Sequence, residues 1–244
     1  MKTRNPKSRF DITVKKSDWV LEVGGGHNPH PRSNVVVDKF YESNYHRGGN
    51  IKVLKKQHFC IADAEFLPFK DKAFDYIISN HVLEHVERPA NFFSEFARVA
   101  PRGYIETPSL IGEYLIPKDS HKWAILELDG KITMVEKDKI GLKFPIDFGD
   151  LLLYNMGQKS LGFRILIKTY PDLLTVRHEW KDAIDYVIDP QDPALRSYFM
   201  GRWSRDQIDT MFRPKSIAKE VLSVFMASVE IGIEFMTSHL NGKK

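Results

Sequence analysis

With 244 residues, of which 42% are hydrophobic, the chain is long enough to bury one full core. Its single cysteine, Cys60, excludes an intrachain disulfide framework and is typical of a reducing compartment. The net charge of +4 is too small to indicate nucleic-acid binding by itself. No run of about 18 apolar residues occurs, so we expect a cytoplasmic protein without a transmembrane segment.

The first half of the chain alternates predicted strands with turns or helices. Residues 1–17 form a predicted amino-terminal arm, whose first ten residues are expected to be loose. The predicted strands that follow are 18–23, 35–38, 58–63, 74–80 and 104–107. A predicted helix from Ala90 to Ala100 ends before Pro101 and Gly103. This alternation predicts an α/β fold with a Rossmann-like, doubly wound, mostly parallel sheet.

After Pro108 the pattern changes to a hairpin. Two alternating runs, Trp123–Leu128 and Lys131–Glu136, flank the turn residues Asp129 and Gly130. We expect this insertion, around residues 120–137, to lie over the ligand-binding edge of a main domain that covers residues 18–188. The segments Arg164–Thr169 and Leu174–Trp180 are predicted as the late strands of that sheet.

Residues 189–244 form a predicted lid or helical extension. Ser216 is a plausible cap for one long helix, Ile217–Leu240, whose apolar residues cover a broad face. Such a face favours packing on its own domain or on a second copy of the chain in a homodimer, with membrane-surface binding as the alternative.

Three glycines, Gly24, Gly25 and Gly26, end the first predicted strand, where a backbone approaches a ligand closely. Eight residues, 27–34, separate this turn from the next strand, and this is too short for the helix whose amino end binds a pyrophosphate. Glu22 would repel a phosphate, but it suits an ammonium group.

Two further acids follow the next strands. Asp38 is placed to accept from two ribose hydroxyls, and Asp63 is placed to accept from an adenine amino group. A ligand with adenosine at one end and a cationic amino acid at the other fits Glu22 and both of these aspartates. S-adenosylmethionine is such a ligand, and the carboxyl edge of an open α/β sheet is where we expect it.

The same segments resemble a known family. Residues 22–27 are similar to the first motif of class I S-adenosylmethionine-dependent methyltransferases, and residues 63–69 with 74–86 resemble the later motifs of the type-11 group. Residues 98–108 are similar to the entry into the fifth strand of that group. The resemblance implies an S-adenosylmethionine-dependent methyltransferase (EC 2.1.1.-), and Asn80 and His81 would then line the side near the methyl group. The predicted cofactor site comprises Glu22, Val23, Gly24, Gly25, Gly26, Asp38, Lys39, Asp63, Ala64, Glu65, Asn80 and His81.

The chain departs from the family pattern at the glycine turn. Asn28 replaces the third glycine, which is tolerable at a position with positive φ because asparagine adopts it more readily than most residues. The first helix is reduced to a loop, where His27, His30 or Arg32 are candidates to hold the methionine end.

Methyl transfer to an alcohol needs a base. The candidate bases are His81 and His85, with Glu84 as an orienting neighbour, and His121 before the hairpin. Residues 81–85 also match the H-x-x-E-H signature of inverted zinc proteases. That site needs both histidines on one helix, whereas His81 directly follows a strand, so the sequence favours a site without a metal.

The acceptor is a separate question. Residues 106–109 and 121–123 resemble methyltransferases of glycan and cell-surface polysaccharide pathways, which favours a sugar hydroxyl as the acceptor. The main rival is C- or N-methylation of a small molecule, lipid or quinone, and nucleic acid is unlikely. A non-catalytic module that binds S-adenosylmethionine is the alternative of a different class.

Overall fold

The computed structural model describes residues 1–44, 49–212 and 214–241, and it contains ten strands and seven α-helices within those ranges. The strands are β1 (Lys2–Arg4), β2 (Val20–Val23), β3 (Val35–Asp38), β4 (His58–Ile61), β5 (Tyr76–Asn80), β6 (Arg102–Pro108), β7 (Trp123–Leu128), β8 (Lys131–Glu136), β9 (Thr175–Lys181) and β10 (Tyr186–Ile188). The α-helices are α1 (Pro89–Val99), α2 (Leu110–Leu115), α3 (Gly157–Lys159), α4 (Leu161–Thr169), α5 (Pro193–Arg196), α6 (Arg205–Met211) and α7 (Ile217–Asn241). A π-helical segment, Leu151–Met156, precedes α3, and 3₁₀ turns occupy Leu83–His85, Lys137–Ile140 and Pro171–Leu173.

Seven strands form the main sheet in the order β1-β9-β6-β5-β2-β3-β4. The five strands from β6 to β4 are parallel, while β9 and β1 add antiparallel at one edge. This mostly parallel sheet confirms the predicted fold class. The late strand predicted at Leu174–Trp180 is β9, which pairs along the whole of β6.

The two faces of the sheet are covered differently. On one face α1 inserts Phe92, Phe93 and Phe96 into the largest apolar cluster, together with Leu21 and other inward side chains of the strands. On the opposite face, a smaller cluster that includes Tyr76 packs against Ile12 and Val14 of the amino-terminal segment. A loop joins β2 to β3, as the short spacing predicted, so the glycine turn opens directly at the sheet edge.

The amino-terminal arm is more ordered than the sequence indicated. Its first residues form β1, which pairs with β9, and Arg9 is buried beside Glu22 with 3.8 Å between Nη1 and Oε1. The expectation of a loose arm was therefore wrong. Without β1, the edge strand β9 would leave backbone N–H and C=O groups unpaired. The polar residues of β1 can pair with these groups without burying apolar side chains.

The hairpin is confirmed, with Asp129 and Gly130 at its turn. It belongs to a separate three-stranded sheet, because β10 adds in parallel to β8. Trp123 anchors this sheet to the main domain, since its indole Nε1 donates to the carbonyl oxygen of Val86 over 2.8 Å.

The segment Arg164–Thr169 is helix α4, so the strand predicted there was wrong. Ser160 caps this helix by accepting a hydrogen bond from the amide of Phe163. A short apolar run does not distinguish a buried strand from a helix, and here the cap decides for the helix.

Helix α7 confirms the predicted long carboxyl-terminal helix. Ala227 and Ile231 are buried, and Glu230 and Glu234 form ion pairs with Lys168 of α4. Many of its other apolar residues are exposed, among them Phe225 at 63%. None of the helices within the described ranges is long and apolar enough to cross a membrane.

Candidate active site

A cavity of about 590 Å³, the first cavity, lies at the carboxyl edge of β2, β3, β4 and β5. Eleven of the twelve predicted cofactor residues line it: Val23, Gly24, Gly25, Gly26, Asp38, Lys39, Asp63, Ala64, Glu65, Asn80 and His81. The parallel register explains this convergence, since consecutive parallel strands end at the same edge of a sheet.

The glycine turn has positive φ at Gly24 (+76°) and Gly26 (+50°), which side chains rarely adopt. A Cβ atom at Gly24 would also lie 2.2 Å from Cγ2 of Val82. The packing of Val82 against Gly24, both of which line the cavity, therefore requires a glycine at this position.

Glu22 is fully buried and does not line the first cavity. Its Oε2 accepts from the amide of His30 and from the hydroxyl of Ser33, both over 2.7 Å. Burial raises the pKa of Glu22, while these donors and Arg9 oppose that rise. The structure therefore shows Glu22 holding the short loop after the glycine turn, a different use from the predicted contact with an ammonium group.

The acids at the ends of the next two strands do face the first cavity. Asp38 Oδ1 accepts from the amide of Phe40 over 2.9 Å. Asp63 Oδ1 accepts from the amide of Glu65 over 3.0 Å, and its Oδ2 lies 2.7 Å from Nζ of Lys39. Burial opposes the charged form of Asp63, but the amide and the lysine outweigh it and lower its pKa.

Asn80 and Glu65 differ in what they leave available to a ligand. Within the described part of the chain, the buried Oδ1 of Asn80 has no hydrogen-bond partner. The Glu65 carboxylate, in contrast, accepts from the amide of Glu87 and from Nε of Arg88. An orphaned acceptor beside two strand-end acids fits an adenosine ligand that carries amino and hydroxyl donors.

All three predicted histidine bases surround one buried carboxylate, that of Glu84. Nδ1 of His81 lies 3.0 Å from Oε1 of Glu84, and Nε2 of His121 lies 4.0 Å from the same oxygen. The ring of His85 packs against the ring of His121, with 4.7 Å between the two ring centroids. Thr107 donates to Oε2 of Glu84 over 3.0 Å.

Glu84 and His81 shift each other's pKa values. Burial alone would raise the pKa of Glu84, but hydrogen bonding to His81 and the nearby His85 and His121 lower it to about 2. Partial burial opposes a charged imidazole at His81, yet the adjacent Glu84 raises the pKa of His81 above its usual value. His81 also has a φ of +57° at the junction between β5 and the 3₁₀ turn, so His81 and His85 do not share a helix as the zinc-protease signature requires.

A second cavity, of about 500 Å³, opens on the other side of this cluster. His81, His85 and Ser120 line both cavities, while Glu84 and His121 line only the second. The histidine cluster therefore stands where the two cavities meet.

Sequence reasoning missed four residues of this region. Arg9 lines the first cavity, and Thr107, Glu113 and Lys137 support the histidine cluster. Arg9 falls in the segment predicted as a loose arm. Glu113 and Lys137 reach the cluster only because α2 and the end of the hairpin pack there, and no local pattern signals that contact.

Residues 38–106 match the family model described as a methyltransferase domain. A malonyl-[acyl-carrier protein] O-methyltransferase from Marinomonas sp. (strain MWYL1) is 25% identical over 122 residues, which cover 46% of this chain and 45% of that protein. An uncharacterized protein of Methanocaldococcus jannaschii is 49% identical over 43 residues, which cover 18% of this chain and 21% of that protein.

A solved structure of SAM-dependent methyltransferases from Methanosarcina mazei aligns with a TM-score of 0.29 at 21% identity, over 38% of this chain and 53% of that one. The chain spans less than half the length of the curated relatives it matches. The matched segment begins at Asp38, the last residue of β3, and covers β4, β5 and most of β6. It includes Asp63, which follows β4, and Asn80, which ends β5. Residues 38–106 therefore match a methyltransferase domain, and this match together with the strand-end residues supports a class I methyltransferase fold with S-adenosylmethionine as its cofactor.

Proposed function

We propose that this protein transfers a methyl group from S-adenosylmethionine to a hydroxyl group of a sugar, a glycan or another small molecule held in the second cavity. One observation carries the proposal: His81 and His85 line both cavities, so a histidine stands between the cofactor and the acceptor. The curated relative named as an O-methyltransferase also supports transfer to an oxygen atom.

In this proposal, residues that line the first cavity hold each end of the cofactor. Asp38 holds the ribose hydroxyls, Asp63 accepts from the adenine amino group, and Asn80 faces the methionine end. Lys39 fixes the Asp63 carboxylate through their 2.7 Å ion pair. Positioning of this kind accounts for much of the rate in a displacement whose reactants are already activated.

When bound, S-adenosylmethionine supplies a sulfonium methyl group: the acceptor oxygen bonds to the methyl carbon as the carbon–sulfur bond breaks, and the sulfur keeps the electron pair. His81 takes the hydroxyl proton on Nε2, because its Nδ1 is engaged by Glu84. The Glu84 carboxylate stabilises the imidazolium that forms.

Acceptors of another class leave a distinguishable pattern. A lipid or quinone acceptor would use the apolar part of the second cavity, near Leu153 and Leu174. A C- or N-methylation need not involve an oxygen proton, and its rate would then be insensitive to His81. A binding module without turnover would bind the cofactor but convert no acceptor.

The experiment combines calorimetry and turnover. Titration with S-adenosylmethionine and with its demethylated product tests the first cavity, and a product-release assay with pooled glycans, lipids and small alcohols tests the second. Binding of the cofactor with release driven by a hydroxylated acceptor supports the proposal. Binding without release on any pool favours the non-catalytic module.

We further propose that the protein forms a homodimer through α7. Exposed apolar side chains extend along this helix at Val221, Leu222, Phe225 and Val229. Contiguous apolar patches of this kind are rare on monomers and mark interaction surfaces. The exposed acids Glu230 and Glu234 disfavour an anionic membrane as the partner.

A further inference from the structure

Three side chains beside the second cavity place their ligand atoms close together. The groups are Glu84, His85 and His121, and one oxygen or nitrogen atom from each lies within 4.8 Å of the other two. In a zinc site with bonds of about 2.0 to 2.2 Å, neighbouring ligand atoms are about 3 to 3.5 Å apart. The 4.0 Å between Nε2 of His121 and Oε1 of Glu84 needs only a small closure to reach that spacing.

The two histidines have the outer partners that metal-binding histidines usually have. Nδ1 of His121 lies 2.5 Å from Oε2 of Glu113, and Nδ1 of His85 lies 3.0 Å from the carbonyl oxygen of Ser120. A carboxylate or carbonyl acceptor at Nδ1 fixes the tautomer and the ring orientation, so that Nε2 presents its lone pair to a metal.

The outer carboxylate is itself anchored. Lys137 Nζ lies 2.6 Å from Oε1 of Glu113, and both side chains are buried. The lysine balances the charge of Glu113 and leaves Oε2 to orient His121. Glu84 is held in the same way by Thr107, so all the groups around the cluster are fixed before any ligand enters.

We propose that Glu84, His85 and His121 bind a divalent transition-metal ion whose remaining coordination positions face the second cavity. Two imidazoles and one carboxylate are the donor set of catalytic zinc sites, and they also suit iron(II). This inference rests on the proposed function: an ion there would bind the acceptor oxygen and lower the pKa of its hydroxyl, while His81 takes the proton. The ion replaces the expectation of a site without a metal.

The proposed ligands differ from those of the zinc-protease signature that the H-x-x-E-H spacing resembles. His81 lies outside the ligand set, and Glu84 is a ligand instead of a general base. The third ligand, His121, comes from the segment before the hairpin, 36 positions after His85. The second cavity opens on Glu84, His85 and His121 together, as an open coordination site requires.

The test uses the full chain after treatment with a chelator and dialysis. Zn²⁺ is titrated by calorimetry, and Co²⁺ is titrated by its visible absorption, which reports coordination by nitrogen and oxygen. We expect one ion per chain in each titration. We expect His121→Ala and His85→Ala to lower the affinity at least tenfold, and Glu113→Gln to lower it about 10- to 100-fold as an outer-shell change.

His58→Ala is the matched control, since His58 is an exposed histidine at the start of β4, and it should bind as the wild type does. Circular dichroism confirms that each variant is folded. If an alanine variant does not fold, Glu84→Gln replaces it in the titrations, because this substitution keeps the shape of the metal-binding side chain. Failure of the folded wild type to bind either ion overturns the proposal, and so does unchanged affinity in His85→Ala and His121→Ala.

Calorimetry with S-adenosylmethionine separates this inference from the proposed function. Cofactor binding and methyl transfer that persist in the chelator, without metal binding, overturn the metal site and leave the methyltransferase proposal intact. Stoichiometric Co²⁺ binding in a protein that turns over no acceptor supports the metal site and counts against the proposed function.

Discussion

Nδ1 of His81 lies 3.0 Å from Oε1 of Glu84, and the two side chains differ sharply in exposure: the imidazole side chain is 45% exposed, whereas the carboxylate is 1% exposed. Within this pair, the histidine therefore presents nearly all of the exposed surface. Because His81 borders both cavities, a buried negative charge controls the basicity of a group that faces both proposed substrates.

This relationship predicts the pH dependence of turnover. A base must be neutral to accept a proton, and Glu84 raises the pKa of His81 in the metal-free protein, so kcat/KM measured in the presence of a chelator should fall on the acidic side with a midpoint above the usual 6.5. His81→Ala should lower kcat/KM by about 10²- to 10⁴-fold and should remove that acidic limb. Steady-state rates between pH 5 and 9 measure both effects, with His58→Ala as the control. Unchanged rates in His81→Ala would exclude it as the base.

A different histidine predicts the acid stability of the fold. His30 is 3% exposed, its Nδ1 accepts from the amide of Arg32 over 3.1 Å, and burial with the positive charges of Arg9 and Arg32 lowers its pKa to about 4. A depressed pKa means that the stability it contributes is complete above pH 6.5 and is lost as the pH falls through 4. At pH 5 the loss is about 2 kcal/mol.

Urea unfolding of the wild type and of His30→Gln at pH 7 and pH 5 measures this contribution. The glutamine variant keeps an acceptor but does not titrate, so its free energy of unfolding should change less between the two pH values. His58→Gln, at an exposed position, should follow the wild type. Equal pH dependence in all three proteins would show that His30 does not titrate as the burial predicts.

The cofactor edge was predictable because its information is local. The strands that carry Glu22, Asp38 and Asn80 near their carboxyl ends are short apolar runs, and parallel strands bring these ends together whatever the rest of the chain does. Even there, the sequence did not reveal that Glu22 is buried outside the cavity lining, because its hydrogen bonds are made by the loop that follows the glycine turn.

The histidine cluster was only partly predictable, because it depends on packing between distant segments. His81, Glu84 and His85 are close in sequence, but His121 joins them only because Trp123 anchors the hairpin to Val86. No periodicity encodes such a contact. The same limit explains the error at α4, where an apolar run of this length fits either a strand or a helix until its cap is considered.

The glycine turn predicts a large effect of a small substitution. Gly24→Ala places a Cβ 2.2 Å from Val82 Cγ2 and requires a left-handed conformation that costs about 1 to 2 kcal/mol for a non-glycine residue. We expect a loss of at least that much in the free energy of unfolding, measured in urea. Gly162→Ala is the matched control, since nothing lies within 4 Å of its Cβ and its helical position should gain about 0.4 to 1 kcal/mol. Equal stability of the two variants would contradict this account.

Asp38 predicts the cofactor affinity. Asp38→Ala removes the acceptor proposed for the ribose hydroxyls, and the loss of a charge-assisted hydrogen bond of about 1.5 to 3 kcal/mol corresponds to a 10- to 150-fold weaker Kd. Calorimetry with S-adenosylmethionine measures the change. Asp71→Ala removes an equally charged side chain that is 77% exposed, and it should bind as the wild type does. Normal affinity in Asp38→Ala would show that the ribose lies elsewhere.

The exposed face of α7 predicts the oligomeric state. Phe225→Asp places a charge in the proposed dimer interface, where burial without a partner is unfavourable, so we expect the dimer to dissociate into monomers. Light scattering coupled to size-exclusion chromatography at several concentrations measures the mass. Lys219→Glu changes a residue that is already charged on the same helix, and it should leave the dimer intact if the apolar side chains carry the contact. A wild type that stays monomeric at high concentration would contradict the proposed interface, because the exposed apolar side chains of α7 would then not bind a second copy.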